Sequence, residues 1–99
     1  MIFTYHADGY SLTDKDQEVI ETKLGKLAEL GGRVGDESTK IHVKVYRGKR
    51  HSSPNIGIHA HFTIPGGTLD AKASGPTVRD AIDEVERKLA VQVEKKANK

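Results

Sequence analysis

Three histidines are the residues of this chain whose types and spacing could do chemistry. His59 and His61 are separated by one residue, and His42 lies in the preceding segment of alternating apolar and polar residues. If the two segments are strands that pair in the right register, three imidazoles could converge on one metal ion. No carboxylate with ligand spacing joins them, and outward positions of a strand accept any polar residue. We therefore predict solvent-facing histidines and no metal site.

Catalysis would need partners that the sequence does not supply. An imidazole acting as a general base requires a nucleophile and an oxyanion donor, and neither is identifiable. Ser52 and Ser53 follow His51 in a polar loop, where a hydroxyl beside an imidazole is coincidental. The chain has no cysteine, which excludes thiolate nucleophiles, disulfides and cysteine metal sites. The "PGG" of residues 65–67 lacks the strand–loop–helix context of a phosphate loop. The sequence predicts no catalytic residue, no cofactor and no small-molecule substrate.

Positive charge is concentrated in two segments. The formal net charge is +2, yet residues 87–99 hold five basic residues against Glu94, and "RGKR" at residues 47–50 adds three more. The remainder is therefore mildly acidic. Two clusters of basic residues on an otherwise acidic domain favour binding to a polyanionic partner. A solvated surface of mixed sign would explain the same charges, so composition alone leaves both interpretations open.

Length and composition predict one domain without a membrane segment. A chain of 99 residues forms at most one domain. No segment approaches the roughly 20 apolar residues that span a bilayer. The start "MIFTYHADGY" has neither a basic region nor a long apolar run, so no signal peptide is expected. The absence of cysteine fits a reducing compartment. We predict a cytoplasmic domain over residues 1–96, with 97–99 as a frayed basic tail.

Apolar and polar residues alternate in four segments, which predicts four strands. Alternation this regular is typical of an antiparallel sheet with one face in water. His42, His59 and His61 fall on the water-facing side. Phe3 and Tyr5 alternate with Ile2, Thr4 and His6 in the first strand. The predicted inward residues of the other three strands are Ile41, Val43, Val45, Ile56, Ile58, Ala60, Phe62, Ile64, Leu69, Ala71 and Ala73.

Two further segments have helical periodicity. The first begins after Thr13, a favoured N-cap, contains Gly25, and ends at Gly31 or Gly32. The second opens with Pro76 at its first helical position. The first apolar stripe is Ile20, Leu24, Leu27 and Leu30 or Gly31, and the second is Val78, Ala81, Ile82, Val85, Leu89 and Val93. The predicted fold is α+β with the order β-α-β-β-β-α, a four-stranded sheet with two helices packed on one face.

Two stretches of the chain resemble one known family. "PGGTLDAKASG", followed by "AIDEVERKL", and the helix "SLTDKDQEVIETKLGKL" are similar to the ribosome hibernation promoting factor and ribosome-associated inhibitor A family, also called sigma-54 modulation proteins. The resemblance covers nearly the whole chain in the order predicted above. The matching positions are Leu12, Thr13, Lys23, Leu24, Lys26, Leu27, Pro65, Gly66, Gly67, Thr68, Leu69, Ala71, Ala73, Ala81, Ile82, Asp83, Lys88, Leu89, Gln92 and Lys95.

The resemblance implies a fold like that of double-stranded-RNA-binding domains and a function without catalysis. A member of this family binds the small ribosomal subunit and its rRNA in the cytoplasm of bacteria or in organelles. It occupies the channel used by mRNA and tRNA, competes with both, and silences translation during hibernation or stress. RNA helices are recognised largely by shape and backbone, so basic helix faces suit this partner.

The resemblance also implies rRNA-binding residues. Four lysines match by position: Lys23, Lys26, Lys88 and Lys95. Because both helices are predicted on one sheet face, we expect these lysines to flank the groove between the helices. Their long side chains would let the ammonium groups reach phosphates. Three further expected contacts stand where the chain departs from the family pattern. Arg79 replaces an aromatic residue, Arg87 lies one turn before the usual arginine, and Lys96 stands where histidine is usual.

Two alternative functions stay open at this point. One is a stand-alone RNA- or protein-binding module of similar fold that does not act on the ribosome, and co-sedimentation with ribosomal subunits would separate it from the ribosome-binding factor. The other is a small metal-dependent enzyme that uses the outward histidines, which metal analysis of the purified protein would test.

Overall fold

A computed structural model describes residues 1–27, 39–47, 55–64 and 67–97 of the chain, with side chains to residue 95. Its elements are β1 (Ile2–Asp8), α1 (Asp14–Gly25), β2 (Lys40–Arg47), β3 (Ile56–Ile64), β4 (Gly67–Gly75) and α2 (Val78–Ala97). The predicted α+β order β-α-β-β-β-α is confirmed. None of the described helices is long and apolar enough to cross a membrane.

The four strands form one mixed sheet in the order β1-β2-β3-β4. β2 pairs antiparallel with β3, and β3 with β4, whereas β1 runs parallel to β2. The prediction of an antiparallel sheet was therefore wrong for β1. A helix separates β1 from β2, and a crossover of that kind returns the chain to the same end of the sheet before the next strand begins. Side-chain alternation reports which face is buried but not the direction of a strand.

The core lies between one face of the sheet and the two helices. The predicted alternation is confirmed, most clearly on β2, where Ile41, Val43 and Val45 are buried and the residues between them are not. The other face of the sheet, called the open face below, carries His42 and His61 exposed and His59 half-exposed, as predicted. The buried residues from the helices are Ile20, Leu24, Leu27, Val78, Ala81, Ile82, Val85, Leu89 and Val93.

Thr13 and Thr77 begin the two helices. The Thr13 hydroxyl accepts from the amide of Asp16, whose carboxylate accepts from the Thr13 amide, so a complete capping box starts α1. The Thr77 hydroxyl likewise accepts from the amide of Asp80 at 3.2 Å. The prediction of Pro76 as a helical residue was wrong, because Thr77 is the cap and Pro76 precedes it. α1 ends at Gly25 rather than passing through it, and residues 28–38, with the predicted Gly31 or Gly32 stop, lie outside the described chain.

The outer edge of β4 is bonded to α2 by two side chains. Gln92 donates to the backbone carbonyl of Asp70 at 2.7 Å and accepts from its amide at 3.2 Å. One helical turn earlier, the Lys88 ammonium donates to the carbonyl of Lys72 at 2.8 Å. These contacts satisfy backbone groups that point off the sheet, where an unpaired strand edge invites association with other chains. α2 therefore fixes the position of the edge strand as well as covering the core.

Replacing Gln92 with Met tests this edge contact. Methionine keeps an unbranched apolar stem but has no amide, so we expect the free energy of unfolding to fall by about 1 kcal/mol. The amide of Asp70 should exchange faster with solvent. Denaturant unfolding and hydrogen exchange measure both effects, with Val91→Ala as the control because Val91 is 49% exposed. Unchanged exchange at Asp70 would contradict the contact.

Candidate nucleic-acid interface on the helix pair

α2 presents different residues on each side of its buried stripe. On one side, toward α1, a groove is lined by Lys23, Lys26 and Leu27 from α1 and the residues after it, and by Asp83, Glu86, Arg87 and Ala90 from α2. We call this the inter-helix groove. On the other side, Lys88 and Gln92 reach β4. The helical repeat explains the division, because residues three or four apart share a side and residues two apart do not.

An ion pair crosses the inter-helix groove. The Lys23 ammonium lies 2.8 Å from Oδ1 of Asp83, and the side chains are 22% and 38% exposed, respectively. A pair with this much solvent contact contributes modestly to stability. Its larger consequence is geometric, since it holds a cation of α1 against α2 at the middle of the groove.

Three cations surround the Asp83 carboxylate. The close contact with the Lys23 ammonium is the main reason that the pKa of Asp83 lies below its usual value of 3.8. Burial is the second-largest effect and opposes this, and the charges of Lys23, Arg79 and Arg87 lower the pKa further. Arg79 and Arg87 stand four residues before and after Asp83 on α2, so both lie on its side of the helix. Asp83 is thus ionised at neutral pH. Its negative charge interacts favourably with Lys23 of α1 and with Arg79 and Arg87 of α2.

Two of the groove cations remain available to a ligand. Arg87 is 74% exposed and pairs with Glu84 at 3.2 Å, a contact between neighbours on one exposed helix face. Lys26 is exposed and makes no ion pair with another described residue. Oε2 of Glu86 is buried in the groove without a hydrogen-bond partner among the described atoms. The groove therefore offers exposed cations to phosphates, and its carboxylates lie deeper.

The other predicted contacts lie away from this groove. Lys88 was expected at the groove, but its ammonium bonds to the backbone of β4 on the opposite side of α2. Lys95 is exposed and follows Lys88 by seven residues, or two turns, which places it on the Lys88 side. The prediction that all four matched lysines flank the groove was therefore wrong for Lys88 and Lys95. Lys96 belongs to α2, and its side chain is outside the described atoms.

The basic residues of the groove were predicted from the sequence, but the roles of the acidic residues between them were not. Asp83 was matched to the family pattern without a role and Glu86 was not singled out, although the spacing of Arg79, Asp83 and Arg87 at four-residue intervals predicts one charged row on a helix. That pattern was visible in the sequence. The side of α2 that faces α1 could not be predicted from the sequence, because it depends on how the two helices cross the sheet.

The outward histidines pair with neighbours on the open face. His59 Nε2 lies 2.5 Å from Oδ1 of Asp70, and His61 Nδ1 lies 3.3 Å from the same oxygen. His42 Nδ1 lies 3.0 Å from the Thr4 hydroxyl. Within the described ranges, no group of three ligating residues is arranged to hold a metal ion. Residues 51–53, with the histidine and two serines considered above, lie outside these ranges.

Comparisons with known proteins give a family and a fold. The sequence model of the family described as Sigma 54 modulation protein / S30EA ribosomal protein matches residues 3–99. No curated protein matches the chain. A ribosomal subunit interface protein from Coxiella burnetii has a similar structure, with a TM-score of 0.80, 23% identity and 100% of both chains covered. The N-terminal domain of Protein Y from Thermus thermophilus aligns with a TM-score of 0.71, 19% identity, and 96% and 98% of the two chains covered. At these identities the likeness concerns the fold.

Asp83→Asn tests the ion pair through its pH dependence. A carboxylate whose folded pKa is depressed stabilises the protein above its usual pKa, and that contribution disappears as the pH falls through the folded pKa. We expect the variant to lose about 0.5 kcal/mol of stability at neutral pH. The loss should vanish in acid, below the pKa of the folded carboxyl group.

Urea denaturation at a series of pH values measures the difference between the two proteins. Glu18→Gln is the control, because Glu18 is an exposed acid of α1 that makes no ion pair with another described residue. A deficit for Asp83→Asn that stays constant from neutral to acidic pH would exclude the ion pair as its cause.

Proposed function

This chain belongs to the sigma-54 modulation protein and S30EA ribosomal protein family, and we propose that it is a non-catalytic factor that binds the small ribosomal subunit. Bound there, it occupies the channel of mRNA and tRNA and silences translation in the cytoplasm during hibernation or stress. The observation that carries the proposal is the family match, which extends over residues 3–99 and thus over both helices and all of the sheet except Ile2.

The inter-helix groove is the proposed centre of the rRNA contact. Lys23, Lys26 and Arg87 line it, and Arg79 acts on the same carboxylate, Asp83. Guanidinium and ammonium groups are suited to phosphate oxygens, and the guanidinium of Arg87 could make a bidentate contact. Contacts of this kind track the shape of an RNA backbone without reading its sequence, as expected for a partner made of folded rRNA.

The carboxylates of the groove have separate roles in this proposal. Asp83 neutralises part of the positive charge and fixes Lys23, so the groove is preorganised rather than simply cationic. Glu86 lines the same groove and adds a second carboxylate to it. The negative charge of Glu86 would disfavour random binding to phosphates, because it repels them.

Lys88, Lys95 and Lys96 form the second part of the proposed interface. Lys88 is exposed although its ammonium bonds to Lys72, so a phosphate would compete with one backbone carbonyl. Lys88 and Lys95 lie on the β4 side of α2, and a subunit that contacts both them and the groove must therefore cross the exposed back of this helix. Binding by steric occupation needs no bond to be made or broken, which agrees with a function without catalytic residues.

Charge reversal at Lys26 and Arg87 tests the proposed interface. Lys26→Glu and Arg87→Glu each replace an attraction to phosphate with a repulsion, and we expect each to weaken small-subunit binding by about 1–3 kcal/mol. Lys15→Glu is the matched control, because Lys15 is an exposed lysine near the start of α1, outside the groove. Co-sedimentation at several salt concentrations measures binding, with thermal melts to exclude unfolding. Equal losses in all three variants would mean diffuse charge attraction.

Competition with tRNA tests occupation of the channel. The protein should reduce cell-free translation without consuming a substrate, and excess initiator tRNA should displace it from small subunits. Binding that is confined to large subunits, or that initiator tRNA does not affect, would contradict the proposed position.

A further inference from the structure

A row of basic side chains crosses the open face of the sheet. The strand register aligns His6 on β1 with Lys44 on β2, His59 on β3 and Lys72 on β4. Neighbouring strands lie about 4.8 Å apart, so the row is about 14 Å long. The four aligned positions hold no acidic residue, although the Asp70 carboxylate contacts His59 from the side. Lys44 and Lys72 carry like charge on the same face, and an anion lying over the row would be attracted to both lysines.

Tyr46 places an aromatic ring beside the row. In the register its neighbours across the sheet are Asp8 and Gly57, and the ring covers the position that a side chain of residue 57 would occupy. Glycine at this position lets the ring lie down against the sheet. Gly57 is buried as a result, whereas Tyr46 remains partly exposed on the open face. The ring is a fixed apolar surface in an otherwise polar environment.

Cations surround this ring. A shallow hollow of about 440 Å³ beside it is lined by Asp8, Gly9, Lys44, Tyr46, Arg47, His59 and Lys72. Asp8 is the one carboxylate among those residues, against two lysines, an arginine and a histidine. On its other side Tyr46 borders a second hollow, which Lys72, Lys88 and the carboxylate of Glu84 also line. His59 is held in place by Asp70 at 2.5 Å.

We propose that the open face binds single-stranded nucleic acid, with one base stacked on Tyr46 and the adjoining phosphates on Lys44 and Lys72. Stacking on an aromatic ring together with a positively charged track is the general means of holding an unpaired strand on a sheet. A duplex keeps its bases stacked inside and would leave the ring unused. This surface is on the opposite side of the sheet from the helices, so the inference goes beyond small-subunit binding by the inter-helix groove.

Fluorescence anisotropy with a labelled short oligoadenylate tests the stacking contact. Tyr46→Ala should weaken binding by about tenfold, whereas Tyr46→Phe should bind like the original protein because the ring is kept. An abasic oligonucleotide of the same length should bind the original protein about as weakly as oligoadenylate binds Tyr46→Ala. Thermal melts check that Tyr46→Ala is folded. An RNA strand and the DNA strand of the same sequence, compared directly, identify the sugar that the surface prefers.

Salt dependence tests the phosphate contacts. Lys44→Gln and Lys72→Gln should each reduce the slope of log affinity against log salt by about 0.7. Lys40→Gln is the matched control, since Lys40 is on the same face, four residues before Lys44 and next to Thr63 in the register. Lys26→Glu should retain oligonucleotide binding, which makes this test independent of the proposed ribosomal contact.

The inference is overturned if Tyr46→Ala binds oligoadenylate as well as the original protein does. It is also overturned if the abasic strand or a duplex binds as tightly as oligoadenylate, or if Lys40→Gln lowers the salt slope as much as Lys44→Gln. Loss of oligonucleotide binding in Lys26→Glu would move the site to the helix face.

Discussion

Burial of one sheet face under two helices is the constraint on which the rest of this structure depends. Four strands offer two faces, and the helices cover one of them, so the outward residues of every strand stay in water. The strict alternation on β2 is the result of this arrangement. The molecule consequently has two chemically different surfaces, a helix pair with cations and carboxylates and a sheet with histidines and lysines.

α2 maintains this arrangement because three of its sides contact other parts of the protein. One buries an apolar stripe from Val78 to Val93, one holds Asp83 against Lys23 of α1, and one bonds Lys88 and Gln92 to the edge of β4. The exposed fourth side is left for a partner. The same contacts that stabilise the fold therefore decide which cations are available, because a lysine that satisfies a backbone carbonyl is less free than one in water. This distinguishes Lys26 from Lys88, although both match the family pattern.

More of the fold than of the candidate site could be predicted from the sequence. Alternation and helical stripes report burial directly, which is why the inward residues of β2 and the stripe of α2 were predicted. The parallel β1 was missed because alternation is the same in both strand directions. Pro76 was misplaced because the choice of cap depends on whether the Thr77 hydroxyl reaches the Asp80 amide. The side of α2 that Lys88 occupies, and the position of Tyr46 over Gly57, follow from packing between distant segments and have no local pattern.

The central claim is that the helix pair is the surface that binds the ribosome. The most direct test is to measure the reactivity of individual lysines in the bound protein. The protein would be acetylated with and without saturating small subunits, and the modification of each lysine quantified by mass spectrometry. The account predicts that Lys26, in the inter-helix groove, is protected by the subunit while Lys40, on the open face, stays reactive. Protection of Lys40 with Lys26 left reactive would contradict it and would place the ribosome on the sheet.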